Sequence, residues 1–219
     1  MTSASRAPAP ARRPRYRPPS KRDSKQLSAR AELTRESILE AAAEAFDRRG
    51  YLGANLNDTV GELGLTKGAL YYFFPSKKDL VLEIVERHRA GWDPLTAEVV
   101  GEHDNLLDAL IDVSYRVAEA FRTDVFARAA TRLSAEQNLV DTDLPEPMVD
   151  WTEVLTRLLE KASQRGEVRP GVDPAATAEM VVSFLYGAQA VSDRLTGRED
   201  LAGRVGAFWE AVEPSLRPH

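Results

Sequence analysis

The stretch Asn57–Asp79 constrains this chain most. Val60 and Leu63 have helical spacing, and Gly64 can end a short helix. Thr66 can cap a second one, which carries Lys67, Gly68, Ala69, Leu70, Tyr71, Tyr72, Phe73 and Phe74. Pro75 stops it, because proline has no amide hydrogen and its ring clashes with the preceding turn. Ser76-Lys77-Lys78-Asp79 starts a new helix, with Ser76 and Asp79 spaced as a capping box. Two short helices joined by a tight glycine turn are the layout of a helix-turn-helix.

The flanking sequence reads helical throughout. A first helix is expected from about Arg30 to Arg49, with Leu33, Ile38, Ala41, Ala42, Ala45 and Phe46 as its apolar stripe. Gly50 terminates it, and Tyr51 and Leu52 cover the end of the core. Asn55 or Asn57 caps the second helix. The helix opened by Ser76 runs to about Trp92, where Pro94 breaks or restarts it. Further helices are expected at roughly 104–122, 124–140, 148–166, 174–195 and 198–213, with Asp173-Pro174 as a cap followed by proline at the first helical position. No window alternates with period two. The fold class is therefore all-α. An N-terminal three-helix helix-turn-helix domain spans 28–76 and a larger helical domain spans 77–219. Residues 1–27, with five prolines and almost no aliphatic side chains, read as a disordered Pro/Arg-rich arm.

Charge divides along the same boundaries. The arm carries eight Lys/Arg against Asp23, a balance of +7, and residues 28–80 balance at −1. The net charge of −5 then leaves −11 for the rest. A basic arm and an acidic body suggest a nucleic-acid-facing end and a body held away from phosphates. There is no cysteine, and His88, His103 and His219 have no metal-ligand spacing. No Ser-His-Asp arrangement or phosphate-binding glycine loop is present, so the chain does not read as an enzyme, and no cofactor is expected. No apolar run approaches a membrane span, and no apolar segment follows the basic N-terminus as a secretory signal would require. The expected compartment is the cytoplasm, with association with the nucleoid.

Double-stranded DNA is the partner this head suits. The exposed amides at Thr66 suit a phosphate, and Lys67 can reach a base edge or a phosphate. Gly68 and Ala69 are small enough for close approach, and Ala69 can touch a thymine methyl. Tyr71 and Tyr72 can give hydroxyls to phosphates, or one of them can be a core aromatic. Lys77, Thr34 and Arg35 are further backbone contacts, and Arg12-Arg13-Pro14-Arg15 can enter a minor groove.

Leu65–Phe74, Ser76–Leu80, Ile38-Leu39-Glu40-Ala41-Ala42 and Phe46 through Tyr51 resemble the TetR family of bacterial transcriptional repressors. Phe73 departs from many members, which carry histidine there. Arg48–Tyr51, Leu144-Pro145-Glu146-Pro147 leading to Asp150-Trp151, and Gly187–Asp193 resemble its γ-butyrolactone receptor branch, which includes receptors for furan and butenolide signals. That resemblance implies a homodimeric repressor of antibiotic or other secondary-metabolite genes. It would bind a pseudo-palindromic operator and be released by a small diffusible signal. It also implies that Trp151 lines the ligand pocket. Trp92, Tyr115, Phe121, Phe126, Leu133, Met148 and Phe184 can line a cavity or form ordinary core. Thr131, Gln137, Ser183, Gln189 and His88 are its polar candidates. The last two helices, about 174–213, are the expected dimer interface through Val181, Phe184, Leu185, Ala188, Val191, Leu195, Phe208, Trp209 and Val212. A TetR-type regulator of efflux or metabolism answering a drug-like or acyl ligand, or a ligand-independent dimeric DNA-binding protein, is the alternative.

Overall fold

A computed structural model describes residues 21–218, with side chains from Ser28 onward. Residues 1–20, and with them Arg12–Arg15, lie outside the described residues. The chain divides between Glu36 and Ser37 into two units, the second holding everything from Ser37 on. Its helices are α1 (Lys21–Gly53), α2 (Leu56–Glu62), α3 (Lys67–Phe73), α4 (Lys77–Ala90), α5 (Trp92–Glu102) and α6 (Leu106–Thr123). They are followed by α7 (Val125–Ala135), α8 (Gln137–Val140), α9 (Pro147–Gln164), α10 (Pro174–Thr196) and α11 (Leu201–Leu216). Among the described residues there is no strand, and no helix is long and apolar enough to cross a membrane.

Helix α1 begins at Lys21, within what the sequence suggested was arm. Lys21–Leu27 contains neither proline nor glycine, and Lys21, Arg22, Lys25, Gln26 and Leu27 are good helix formers, so composition permits the extension once Pro19 is passed. Leu33 is exposed rather than core. Ile38, Leu39, Ala42 and Phe46 are fully buried, and the helix breaks at Gly50 with φ +69. Tyr51 stacks on Phe46 with ring centroids 6.3 Å apart, while Leu52 is exposed and covers nothing.

The turn between α2 and α3 is closed by its own backbone. Gly64, at φ +70, donates to the Gly61 carbonyl at 2.9 Å and Leu65 donates to Val60 at 3.0 Å. These are the paired bonds of a Schellman motif. Leu63, at the end of α2, is exposed and not inward-facing. Asn55 caps α2, Thr66 caps α3, and Ser76 with Asp79 forms the expected capping box on α4.

Helix α4 is shorter than its apolar pattern suggested. It stops at Ala90, and Trp92 opens a separate helix in which Pro94 occupies the first turn, where its missing amide hydrogen costs nothing. The segment expected as one helix over 124–140 is likewise two, broken at Glu136. Helix α11 continues through Pro214 to Leu216.

Two hydrophobic cores result. The first joins the head to α7, with Ile38, Phe46, Leu70, Phe74, Leu80 and Ile84 packed with Ala129, Ala130 and Leu133. The second is the body, built on Leu107, Leu110, Phe121, Trp151, Leu155, Val181 and Val205. Val181, Leu185, Ala188 and Trp209, expected at a dimer interface, are buried in this chain's own core. The exposed large apolar residues of α10 are Met180, Val191 and Leu195.

His88 sits at the end of α4, its ring 4.7 Å from Trp92 and 6.5 Å from Phe121. Burial lowers its pKa to about 4, against the pull of Asp124. The imidazole is therefore neutral in the folded chain, while the unfolded chain takes up a proton below about pH 6.5. Stability from this group is full above that value and is lost as the pH falls toward about 4. From pH 7.5 to pH 5 it should decline by about 2 kcal/mol on this account. Urea unfolding at the two pH values should show that decline in the native chain and a smaller one in His88→Gln; equal declines would rule it out.

Gly50 offers a second test. A Cβ there would collide with the Glu136 carboxylate in addition to requiring the left-handed region. Gly64 has the same backbone need, but a Cβ there would meet nothing within 4 Å. Gly64→Ala should cost about 1–2 kcal/mol of unfolding free energy, the conformational part alone. Gly50→Ala should cost clearly more, and denaturant titration compares them directly.

Candidate nucleic-acid interface and ligand chamber

Helix α3 has one buried side and one open side. Leu70 and Phe74 anchor it in the core. Thr66, Lys67, Gly68, Tyr71 and Tyr72 are exposed and Ala69 is half-buried. Tyr72 is 80% exposed, which disposes of a core role for it. The Thr66 hydroxyl accepts from the Ala69 amide at 3.1 Å and fixes the first turn. The Lys67 ammonium lies 5.7 Å from the Tyr71 ring centroid, so the two form one cationic, hydroxyl-bearing surface. Such a surface, small at Gly68 and Ala69, can enter a major groove while its tyrosines meet the backbone.

Lys77 is placed differently. Its ammonium donates to the Ala54 carbonyl at 2.7 Å and lies 4.8 Å from the Tyr51 ring centroid. Burial lowers its pKa. Its charge therefore holds the end of α1 to the start of α4 rather than projecting outward. Thr34 and Arg35 lie on α1 in the N-terminal unit, where the Thr34 hydroxyl donates to the Arg30 carbonyl at 2.9 Å.

In the body, four of the sequence candidates meet: Trp92, Trp151, His88 and Phe121. Trp92 and Trp151 stack at 4.8 Å with their planes 13° apart, and His88 packs edge-on against Trp92. Phe121 and Tyr186 complete the group, 5.7 Å from one another, with Tyr186 6.5 Å from Trp151. Burial pushes the Tyr186 hydroxyl well above its usual pKa. The group is aromatic, but not apolar. The indole nitrogens of Trp92 and Trp151, Nε2 of His88 and the hydroxyl of Thr96 are buried without a hydrogen-bond partner among the described residues. Thr96 lies one turn after Trp92 on the same face of α5. A buried polar atom left unpaired costs about 1–3 kcal/mol, so several in one place call for an explanation.

Beside this group lies a cavity of about 570 Å³, and Tyr186 lines it. Thr131, Met148 and Gln189 line it too, as the sequence proposed. Its far side is ionic. Asp47 accepts from Arg128 at 2.8 Å, and Arg132 donates to the Asp47 carbonyl at 2.8 Å. Glu136 pairs with Arg132 at 3.0 Å and accepts from the Tyr51 amide at 2.6 Å.

The other candidates lie elsewhere. Phe126 and Leu133 belong to the head's core, with the Arg87 guanidinium 3.9 Å from the Phe126 ring centroid. Phe184 stacks on Phe208 at 4.0 Å, and Tyr115 packs toward Gly206 on α11. Gln137 is half-buried on α8 outside the cavity lining, and Ser183 is exposed. Tyr186 was missed by sequence reasoning. Its spacing from Val182 and Gln189 on one face of α10 was the available signal. Among the described residues no group of His, Cys, Asp or Glu is placed to hold a metal.

Comparison with known proteins identifies the family and the fold. Residues 38–84 match the bacterial regulatory proteins of the tetR family, and residues 105–218 match the tetracyclin repressor-like C-terminal domain. The chain is 38% identical over 189 residues to the A-factor receptor protein of Streptomyces griseus, covering 86% of this chain and spanning 65% of that protein's length. A structure described as the molecular basis for control of antibiotic production by bacterial hormones superposes with a TM-score of 0.78 at 41% identity, over 84% of this chain and 98% of that one. A crystal structure of an ArpA-like gamma-butyrolactone receptor gives a TM-score of 0.76 at 30% identity, over 86% and 90%. Head and body both carry the match, and the chain belongs to the TetR family of bacterial regulatory proteins.

Proposed function

We propose that this chain is a ligand-released transcriptional repressor rather than an enzyme. It acts in the cytoplasm, on the nucleoid, as a homodimer on a pseudo-palindromic operator. Each head presents Lys67, Tyr71 and Tyr72 to a major groove, with successive half-sites about 34 Å apart. The exposed Met180, Val191 and Leu195 of α10 support a two-fold contact between copies. The ligand is a small diffusible signal of the γ-butyrolactone, furan or butenolide kind, and the controlled genes serve antibiotic or other secondary metabolism.

The observation that carries the reading is the set of unpaired polar atoms on Trp92, Trp151, His88 and Thr96. A small-molecule site needs a mostly apolar wall with a few convergent polar groups, and these supply both. The same site touches α4, whose other end begins at the head's capping box. A ligand that parts Trp92 from Trp151 displaces His88, and α4 transmits the change in head spacing. It shifts the equilibrium only by its differential affinity for the two states, and coupling of about 1–3 kcal/mol alters DNA affinity about 5- to 150-fold.

The test begins with selection of bound fragments from sheared genomic DNA, which should return an inverted repeat. Adding an alkyl γ-butyrolactone should then release the native chain. Trp151→Ala should bind the same fragment with unchanged affinity and fail to release it; release that survives the substitution removes the pocket assignment. Tyr72→Phe should weaken binding to every selected sequence alike and lower the slope of log K against log salt by less than about one, as befits a neutral phosphate contact.

A further inference from the structure

The head is joined to the body a second time, by a contact that does not pass through α4. Asp47, near the end of α1, meets Arg198, in the corner between α10 and α11. One carboxylate oxygen of Asp47 accepts from Arg128 of α7, and the other lies 3.5 Å from a terminal nitrogen of Arg198. That same nitrogen reaches Asp193, on the last turn of α10, at 3.1 Å. The Asp47 and Arg198 side chains are only 15% and 16% exposed, so the pair is screened less than a surface ion pair. Phe46, beside Asp47, packs in the head's core, while Leu201, just past Arg198, packs in that of the body.

The corner has two unfavourable features. Gly197, at φ +62, ends α10, and its amide donates to the Asp193 carbonyl at 3.2 Å. A helix stop of this kind asks for one left-handed residue, and glycine is the one that suits it. Arg198 follows at φ +75, a second left-handed residue and one that carries a Cβ. Its Nε is also buried without a hydrogen-bond partner among the described residues. Neither feature serves the helix stop; both accompany the placement of the guanidinium against the head. Strain of this kind persists only where the surroundings enforce it, and it clusters at functional sites.

We infer that Arg198 and Asp47 are positioning residues for DNA binding: they tie the head to the corner of α10 and α11, and so fix the spacing of the two recognition helices. This inference rests on the homodimeric reading above. Helix α10 carries the exposed Met180, Val191 and Leu195, so the corner at its end is fixed relative to the contact between copies. A head held through α4 alone can turn about that attachment; a second point of attachment removes the freedom. The tie is releasable because one nitrogen serves two carboxylates. Arg198 keeps Asp193 when the longer contact to Asp47 lapses.

The test titrates the full chain against inverted repeats of its selected half-site, built with a graded series of spacers. The native chain should prefer one spacer about tenfold over those two base pairs longer or shorter, within the usual range of coupling between sites. Arg198→Gly removes the side chain and gives the backbone the residue that suits it. It should unfold in urea near the native midpoint, select the same half-site sequence and lose most of the spacer preference. Asp47→Asn should flatten the preference as well, and the double variant no further than the stronger single, because both act through one contact. An Arg198→Gly chain that keeps the native preference, or loses it only along with a clearly lower midpoint, overturns the inference. Additive effects of the two substitutions overturn it too, as does a native chain that binds every spacer alike. A native chain that binds a lone half-site as tightly as the repeat removes the homodimeric reading and this inference together.

Discussion

Helix α4 is the constraint on which the rest depends, because it belongs to both cores. Leu80, Val81, Ile84 and Val85 are fully buried between α1 and α7, while His88 enters the body beside Trp92. Each such aliphatic side chain contributes about 1.5–3 kcal/mol when buried. Separating α4 from α7 would therefore cost more than a small ligand supplies. The head, α4 and α7 consequently behave as one packed body. Backbone direction can change at the break at Gly91, which the sequence placed at about Trp92 to Pro94, and at the break at Glu136, which it did not reveal.

Electrostatics divides differently from packing. The head is near neutral, and its inward lysine is engaged by the Ala54 carbonyl and two aromatic faces. Lys67 is left as the cation on α3. A single head with one such cation binds nucleic acid weakly, since phosphate neutralisation dominates affinity. In the proposed dimer, two heads at fixed spacing, and any contribution from the basic N-terminus, make up the difference. Control by spacing is then effective, because little affinity survives when only one head is engaged.

Much of this was legible in the sequence where a local rule was decisive. Gly64 needs φ > 0, Ser76 and Asp79 cap each other, and Asp173 precedes a proline; each fixes a boundary by itself. Relations between distant segments were not legible. An apolar stripe states that a helix is buried but not against what, so Phe126 and Leu133 were grouped with Trp151 although they face the head. Lys77 read as an outward cation because its acceptor, Ala54, is brought near only by the fold. The pairing of Asp47 with Arg128 joins positions 81 residues apart and has no sequence signature. The sequence named both Trp151 and Trp92, which stack in the fold, but not Tyr186, which packs beside Trp151.

The unpaired atoms of the aromatic group connect stability to control. An indole N–H buried without a partner is costly to the ligand-free chain, by about 1–3 kcal/mol if nothing compensates. Under the proposed function, that cost would disappear when a ligand offered an acceptor. Two such groups satisfied in one conformation and not in the other supply about 2–6 kcal/mol of differential affinity before any apolar contact is counted. Coupling of about 1–3 kcal/mol is enough for regulation. Under the proposed function, a molecule of a dozen or so heavy atoms would suffice to move two heads, provided that its polar atoms fell at Trp92 and Trp151. Polar placement, more than size, sets which molecules can act.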